Sequence, residues 1–190
     1  MINISDLIQL QNIEIKHQPE LKLLMKRIYP PAYKSFWNNE DCSWYLNKMY
    51  DIENFSLESS EQNSHYYFII YNSKKVGILR LQHDKPLVDF PDKKATYLHR
   101  IYLGEEAQGK GVAKQIMDWT ESSAKLKGSE LIWLKAMDTQ SQALRFYEKH
   151  GFSISNTTVL DFELIHKHLR GMNILYKFLA TSFKLLFLLK

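Results

Sequence analysis

An α/β fold, with helices packed around one mixed sheet, is what this sequence predicts, and three observations predict it. Between residues 97 and 152 a strand-like run is twice followed by a helical one. Residues 65–83 read as two strands joined by a tight polar turn. Ahead of them lie two stretches whose apolar residues recur at helical spacing. The expected element order is β-α-α-β-β-β-α-β-α-β-β, which layers helices against a sheet.

Residues 12–17 alternate apolar and polar side chains, as a half-buried strand does. Pro19 then opens a helix with Leu21, Leu24, Met25 and Ile28 on one face. Tyr29-Pro30-Pro31 should end it, because a residue before proline resists the helical region. A second helix is expected over residues 41–50, with Trp44, Tyr45, Leu46 and Met49 available for packing, and residues 56–64 read as polar loop. The connector 33–40 carries Tyr33, Phe36 and Trp37, and reads either as aromatic core or as pocket lining. Strands 65–71 and 76–83 flank the turn Asn72-Ser73-Lys74-Lys75, and residues 84–94, with Pro86 and Pro91, form a loop.

The central stretch carries the chemistry. Residues 97–103 are rich in aromatic and β-branched side chains and read as a strand. Gln108-Gly109-Lys110-Gly111-Val112-Ala113 follows, and Val112, Ile116 and Trp119 then mark one face of a helix. Glycines in such a turn let the backbone take positive φ and approach a ligand closely. The first helical turn adds unpaired N–H groups and the positive end of a dipole, a setting for phosphate-type anions. Lys110 and Lys114 supply further positive charge. The run matches neither G-x-x-x-x-G-K-[ST] nor G-x-G-x-x-G, since Lys114 fills the last glycine position; the pattern is Q-x-x-G-x-A.

Residues 131–137 form a second apolar strand. Thr139 and Gln142 fit a T-x-x-Q capping box for a helix that stops at Gly151. Strands are expected at 152–162 and 172–179. The apolar stretch 174–189 is interrupted by Lys177 and Lys184, too charged for a membrane span, and reads as a strand followed by a packing tail or homodimer contact.

Q-x-x-G-x-A after a strand, then Trp133-Leu134 in a strand, then Ala143-x-x-Phe146-Tyr147-Glu148-Lys149-x-Gly151-Phe152, resembles the GNAT superfamily of N-acetyltransferases over residues 97–152. The resemblance implies a GNAT-like mixed, mostly antiparallel sheet with helices on both faces and splayed central parallel strands. It implies acetyl-coenzyme A (acetyl-CoA) as co-substrate, its pyrophosphate held by Gln108, Gly109, Lys110, Gly111, Val112, Ala113 and Lys114. By the same resemblance, the backbone of Ile101, Tyr102 and Leu103 would hold the pantetheine arm. Gln140 stands where many relatives carry an asparagine near the pantetheine amide. Tyr147 matches the tyrosine that reaches the coenzyme A sulfur and is the expected general acid.

His99, where some relatives carry glutamate, is the candidate base, with Tyr97 its competitor. The 33–40 region would close over the acceptor. Residues around Arg100-Ile101-Tyr102 and Trp133-Leu134 are similar to those of bacterial polyamine (spermidine/spermine) acetyltransferases. The activity expected is direct acetyl transfer to a small primary amine. A protein N-terminus or lysine is the alternative acceptor, and a non-catalytic acyl-CoA-binding module the alternative class.

Composition narrows the setting. Across 190 residues, 45% apolar and 24% charged side chains suit one soluble domain. Within it, residues 1–65 would serve the acceptor side, 95–152 the acetyl-CoA core, and 153–190 the last strands and tail. A single cysteine, Cys42, and an N-terminus without a basic-then-apolar leader point to the cytoplasm. Cys42 has no cationic neighbour to activate it, which favours direct transfer over a covalent intermediate. His166-Lys167-His168 lacks a ligand partner at a recognised spacing, so no metal site is expected. The net charge of +4 divides unevenly, with nine acidic and six basic residues over 1–65 against twelve and nineteen thereafter, which suits a polyanionic cofactor. The basic residues are too dispersed for nucleic acid, and no membrane contact is expected.

Overall fold

The structure, a computed structural model, describes residues 1–180. Its strands are β1 (Ile2–Asn3), β2 (Ile8–Asn12), β3 (Ser64–Tyr71), β4 (Lys74–His83), β5 (Ala95–Leu103), β6 (Leu131–Met137), β7 (Ser153–Val159) and β8 (Gly171–Phe178). They form one sheet in the order β1-β2-β3-β4-β5-β6-β8-β7. Every neighbouring pair is antiparallel except β5 and β6. Among the described residues the α-helices are α1 (Gln18–Tyr33), α2 (Ser43–Met49), α3 (Ile52–Ser60), α4 (Val112–Leu126) and α5 (Ser141–Lys149).

Alternation along the strands sends side chains to two apolar layers. On one face Leu79, Leu81, Leu98 and Leu134 pack with Val112, Ile116 and Met117 of α4 and Tyr147 of α5. On the other, Phe68 and Ile78 meet Leu21, Met25 and Ile28 of α1, Tyr45 of α2 and Phe55 of α3. Helices therefore cover both faces of the sheet.

Several elements depart from the sequence reading. The first long strand is β2, at Ile8–Asn12 rather than 12–17, because Ile8 and Leu10 are the alternating pair that reaches the core while Ile15 stays exposed. Helix α1 runs through Pro30 and Pro31 to Tyr33. Both prolines sit in the last turn, and Tyr29 stacks on Tyr33 at 4.7 Å, packing that offsets the lost N–H bonds. The segment read as loop is mostly α3, begun where the Asp51 side chain accepts a hydrogen bond from the Asn54 N–H at 2.7 Å. Helix α5 starts at Ser141 with no side-chain cap, so the Thr139/Gln142 box does not form. It stops before Gly151, whose φ of 81° ends it as expected. The tail beyond residue 180 lies outside the described residues.

Two features of β5 make the site. Its parallel ladder to β6 runs only from Ala95↔Leu131 to Leu98↔Leu134. Beyond that point the two strands diverge. On its other side, Arg80 pairs with Arg100 and Leu81 with Leu98, so His99 is the extra residue of a β-bulge. The bulge turns both His99 and Arg100 toward the α1–α3 layer, where they meet Arg80 and Glu58.

Candidate active site

The divergence of β5 and β6 opens onto a cavity of about 360 Å³. His99, Ile101 and Tyr102 of β5 line it with Lys135 of β6, and Gln140 and Tyr147 enter from the α5 side. The opposite wall is aromatic: Tyr29, Tyr33, Phe36, Trp37, Tyr45 and Phe162. The connector 33–40 is thus both core and lining, since Trp37 is fully buried yet borders the cavity. The Asn38 N–H donates to the Leu164 carbonyl at 2.8 Å, and the His166 N–H to that of Phe36 at 2.9 Å, fixing the β7–β8 loop as a roof.

The glycine loop lies apart from this lining. Gly109 and Gly111 have φ of 67° and 72°, where a Cβ would be strained. Gly111 is the N-cap of α4 without any side-chain cap, and the Gln115 N–H makes the first bond, back to the Gly111 carbonyl. The N–H groups of Val112, Ala113 and Lys114 therefore begin the helix without intrahelical partners. Gln108 and Lys110 are exposed beside them, while Lys114 is paired with Asp118 at 2.6 Å. Leu103 ends β5 on the way to this loop and does not line the cavity.

Tyr147 is 9% exposed and packs edge-on against Phe146 and Phe152, with ring centroids 5.5 and 5.7 Å away. Burial raises its pKa, with Tyr33 adding to the effect, so the phenol keeps its proton throughout the physiological range. Cys42 is buried and its thiol is pushed up in pKa by that burial, the reverse of an activated nucleophile.

His99 sits in a different electrostatic setting from the one the sequence suggested. Arg80 Nη1 donates to His99 Nδ1. A guanidinium only donates, so Nδ1 accepts and the ring proton is on Nε2. Burial, then Arg100 and Arg80, lower the His99 pKa to about 2. That is the setting of a neutral donor, not of a general base, and the base role expected of His99 is not supported. Tyr97, stacked on Trp133 at 3.9 Å, is raised to about 12 by burial and stays a phenol.

A buried ionic cluster backs the cavity, and sequence reasoning missed it. Glu58 accepts from Arg80 at 3.0 Å through one oxygen and from Arg100 at 2.6 Å through the other. Arg80 also reaches Glu61 at 2.6 Å, and Arg100 Nη1 donates to the Tyr66 hydroxyl at 3.2 Å. The partners come from α3, β3, β4 and β5, so no local spacing announces the cluster.

The histidines give a pH prediction. His83, bonded to Thr96 at 2.8 Å, has its pKa lowered by burial to about 4, and His99 to about 2. The unfolded chain binds a proton at each near pH 6.5, the folded chain only below those values. Unfolding therefore takes up protons in acid, and stability should fall as pH drops below about 6.5. Urea midpoints from pH 7 to 4.5 measure the slope, and His83→Asn should flatten it.

Residues 25–152 match the model of the acetyltransferase (GNAT) family, more than half of the chain. An uncharacterized N-acetyltransferase of Lactobacillus delbrueckii subsp. lactis is 21% identical over 146 residues, 77% of this chain and 84% of that protein. Among solved structures, the PaiA N-acetyltransferase of Thermoplasma acidophilum in complex with coenzyme A superposes with a TM-score of 0.68 at 19% identity, covering 90% of this chain and 98% of that one. A spermidine N-acetyltransferase of Vibrio cholerae gives 0.67 at 13%, over 95% and 98%. An acetyltransferase from Salmonella typhimurium that modifies the N-terminal serine of a ribosomal protein gives 0.69 at 16%, over 93% and 98%. These structural likenesses are likenesses of fold. On the match across residues 25–152, this chain belongs to the GNAT acetyltransferase family and is an acetyl-CoA-dependent acyltransferase.

Proposed function

We propose that this chain transfers the acetyl group of acetyl-CoA directly to the primary amine of a small molecule, with Tyr147 as general acid. The observation that carries the reading is the gap between β5 and β6, which opens onto a cavity with Tyr147 on its wall. The free backbone edges of the diverging strands suit the extended pantetheine arm, with Ile101, Tyr102 and Gln140 beside it. The uncapped start of α4 after Gly109 and Gly111 suits the diphosphate.

The amine nitrogen attacks the thioester carbonyl carbon, the C–N bond forms, the C–S bond breaks, the departing sulfur takes the Tyr147 proton, and the proton shed by the acylated nitrogen returns to the Tyr147 oxygen, directly or through water. A phenol kept protonated by burial fits that role. The attacking amine must first lose its own proton. Transfer into an aromatic cavity beside the Arg100 guanidinium disfavours the ammonium form, so deprotonation on entry to the site needs no histidine base.

The roofed cavity of about 360 Å³ supports a small acceptor over a protein chain. Polyamines belong to that class, as the resemblance suggests. The test is thiol release from acetyl-CoA across an amine panel, with thermal stabilisation by acetyl-CoA measured in parallel. Amine-dependent release is expected; stabilisation without release by any amine would leave a binding module and overturn the proposal.

A further inference from the structure

The charges around the cavity do not suit a polycation. Among the described residues no aspartate or glutamate lines it, and its charged groups are Arg100 and Lys135. An acceptor with two or more ammonium groups would leave the extra ones buried among tyrosines without a counter-ion, a costly arrangement.

Arg100 is 8% exposed, and its donors are unevenly used. Nη1 is committed to Glu58 and Tyr66. Nη2 has for a partner the thioether of Met49 at 3.5 Å, a weak acceptor on the same cavity wall. Behind it, two buried guanidiniums face one buried carboxylate, Glu58, while the second carboxylate, Glu61, has a side chain 47% exposed to solvent. The interior pair is thus short of negative charge on the cavity side. His99 adds a donor there, since Arg80 holds its Nδ1 and leaves the proton on Nε2.

We infer that the acceptor carries a carboxylate beside its primary amine, and that Arg100 Nη2 binds that carboxylate while Tyr29, Tyr33, Tyr45 and Phe162 enclose an apolar body. This rests on the acetyl-transfer reading and narrows its substrate to amino acid-type amines. The weakly bonded guanidinium edge becomes a specificity group: a charge-assisted bond replaces the sulfur contact.

Wild-type enzyme tests it with matched amines in the thiol-release assay. 5-Aminopentanoate is compared with 1,5-diaminopentane, L-phenylalanine with phenethylamine, and spermidine is included. The carboxylate-bearing member of at least one pair should exceed its partner in kcat/KM by about tenfold or more. Release that favours the diamine, spermidine or the decarboxylated amine would overturn the inference and leave acetyl transfer standing. Release with no amine at all would remove both. Arg100→Lys, which keeps a cation for Glu58, should pull the paired ratio toward one. An unchanged ratio in folded Arg100→Lys protein would also overturn the assignment, a readout that a purely structural role would not move.

Discussion

Replacing Tyr147 by phenylalanine is expected to lower kcat by about a hundredfold or more while nearly preserving the affinity for coenzyme A. The ring contacts with Phe146 and Phe152 survive the change, so α5 keeps its seat on the sheet. Only the proton donor is lost, and the thiolate must then leave without it or wait for water. Because burial holds the phenol pKa well above its ordinary value, the wild-type acid remains loaded through alkaline pH. The loss on substitution should therefore persist across the alkaline range instead of vanishing there. Steady-state thiol release, with coenzyme A affinity from thermal shift, separates the two effects; unchanged kcat in a folded variant would remove Tyr147 from the chemistry.

Sequence patterns carried the elements whose stabilisation is local. Strand β6 falls on the expected residues 131–137, and Gly151 ends α5 where its freedom at positive φ was needed. The hairpin of β3 and β4 turns at Asn72 and Ser73, both at positive φ, as a two-residue connection requires. Helix α3 was missed because its sequence is polar. Of its side chains Phe55 and Glu58 are the buried ones, and Glu58 is buried only because arginines 22 and 42 residues later return to it. The His99 environment was hidden for the same reason. A bulge, invisible in alternation, brings it against Arg80 across the strand pair. Family resemblance pointed to Tyr147 and local spacing to the glycine loop; long-range ion pairing decides what His99 and Arg100 face.

Glu58→Ala is expected to destabilise the protein by about 3–5 kcal/mol, because it leaves two buried guanidiniums without their shared carboxylate. Arg80 is 1% exposed and keeps as a charged partner the solvent-facing Glu61, beside the neutral His99 ring and the main-chain carbonyl of residue 58, while Arg100 keeps a phenol and a thioether. Urea unfolding at neutral pH measures the loss. Lys114→Ala, which breaks the exposed pair with Asp118, should change stability by only about 0.5 kcal/mol or less and serves as the control. The network also separates stability from recognition. Replacing the three buried charged members together, Glu58→Leu with Arg80→Met and Arg100→Leu, removes the buried charges, leaves Glu61 to solvent, and should restore much of the stability lost in Glu58→Ala. The same triple variant has no guanidinium on the cavity wall, so a recovered fold should come without any preference for carboxylate-bearing amines. If stability instead fell further, the cluster would be a net source of folding energy beyond what a packed apolar substitute supplies. If stability returned together with the carboxylate preference, the preference would have to arise from His99, Lys135 or the main chain, and Arg100 would be only a partner for Glu58.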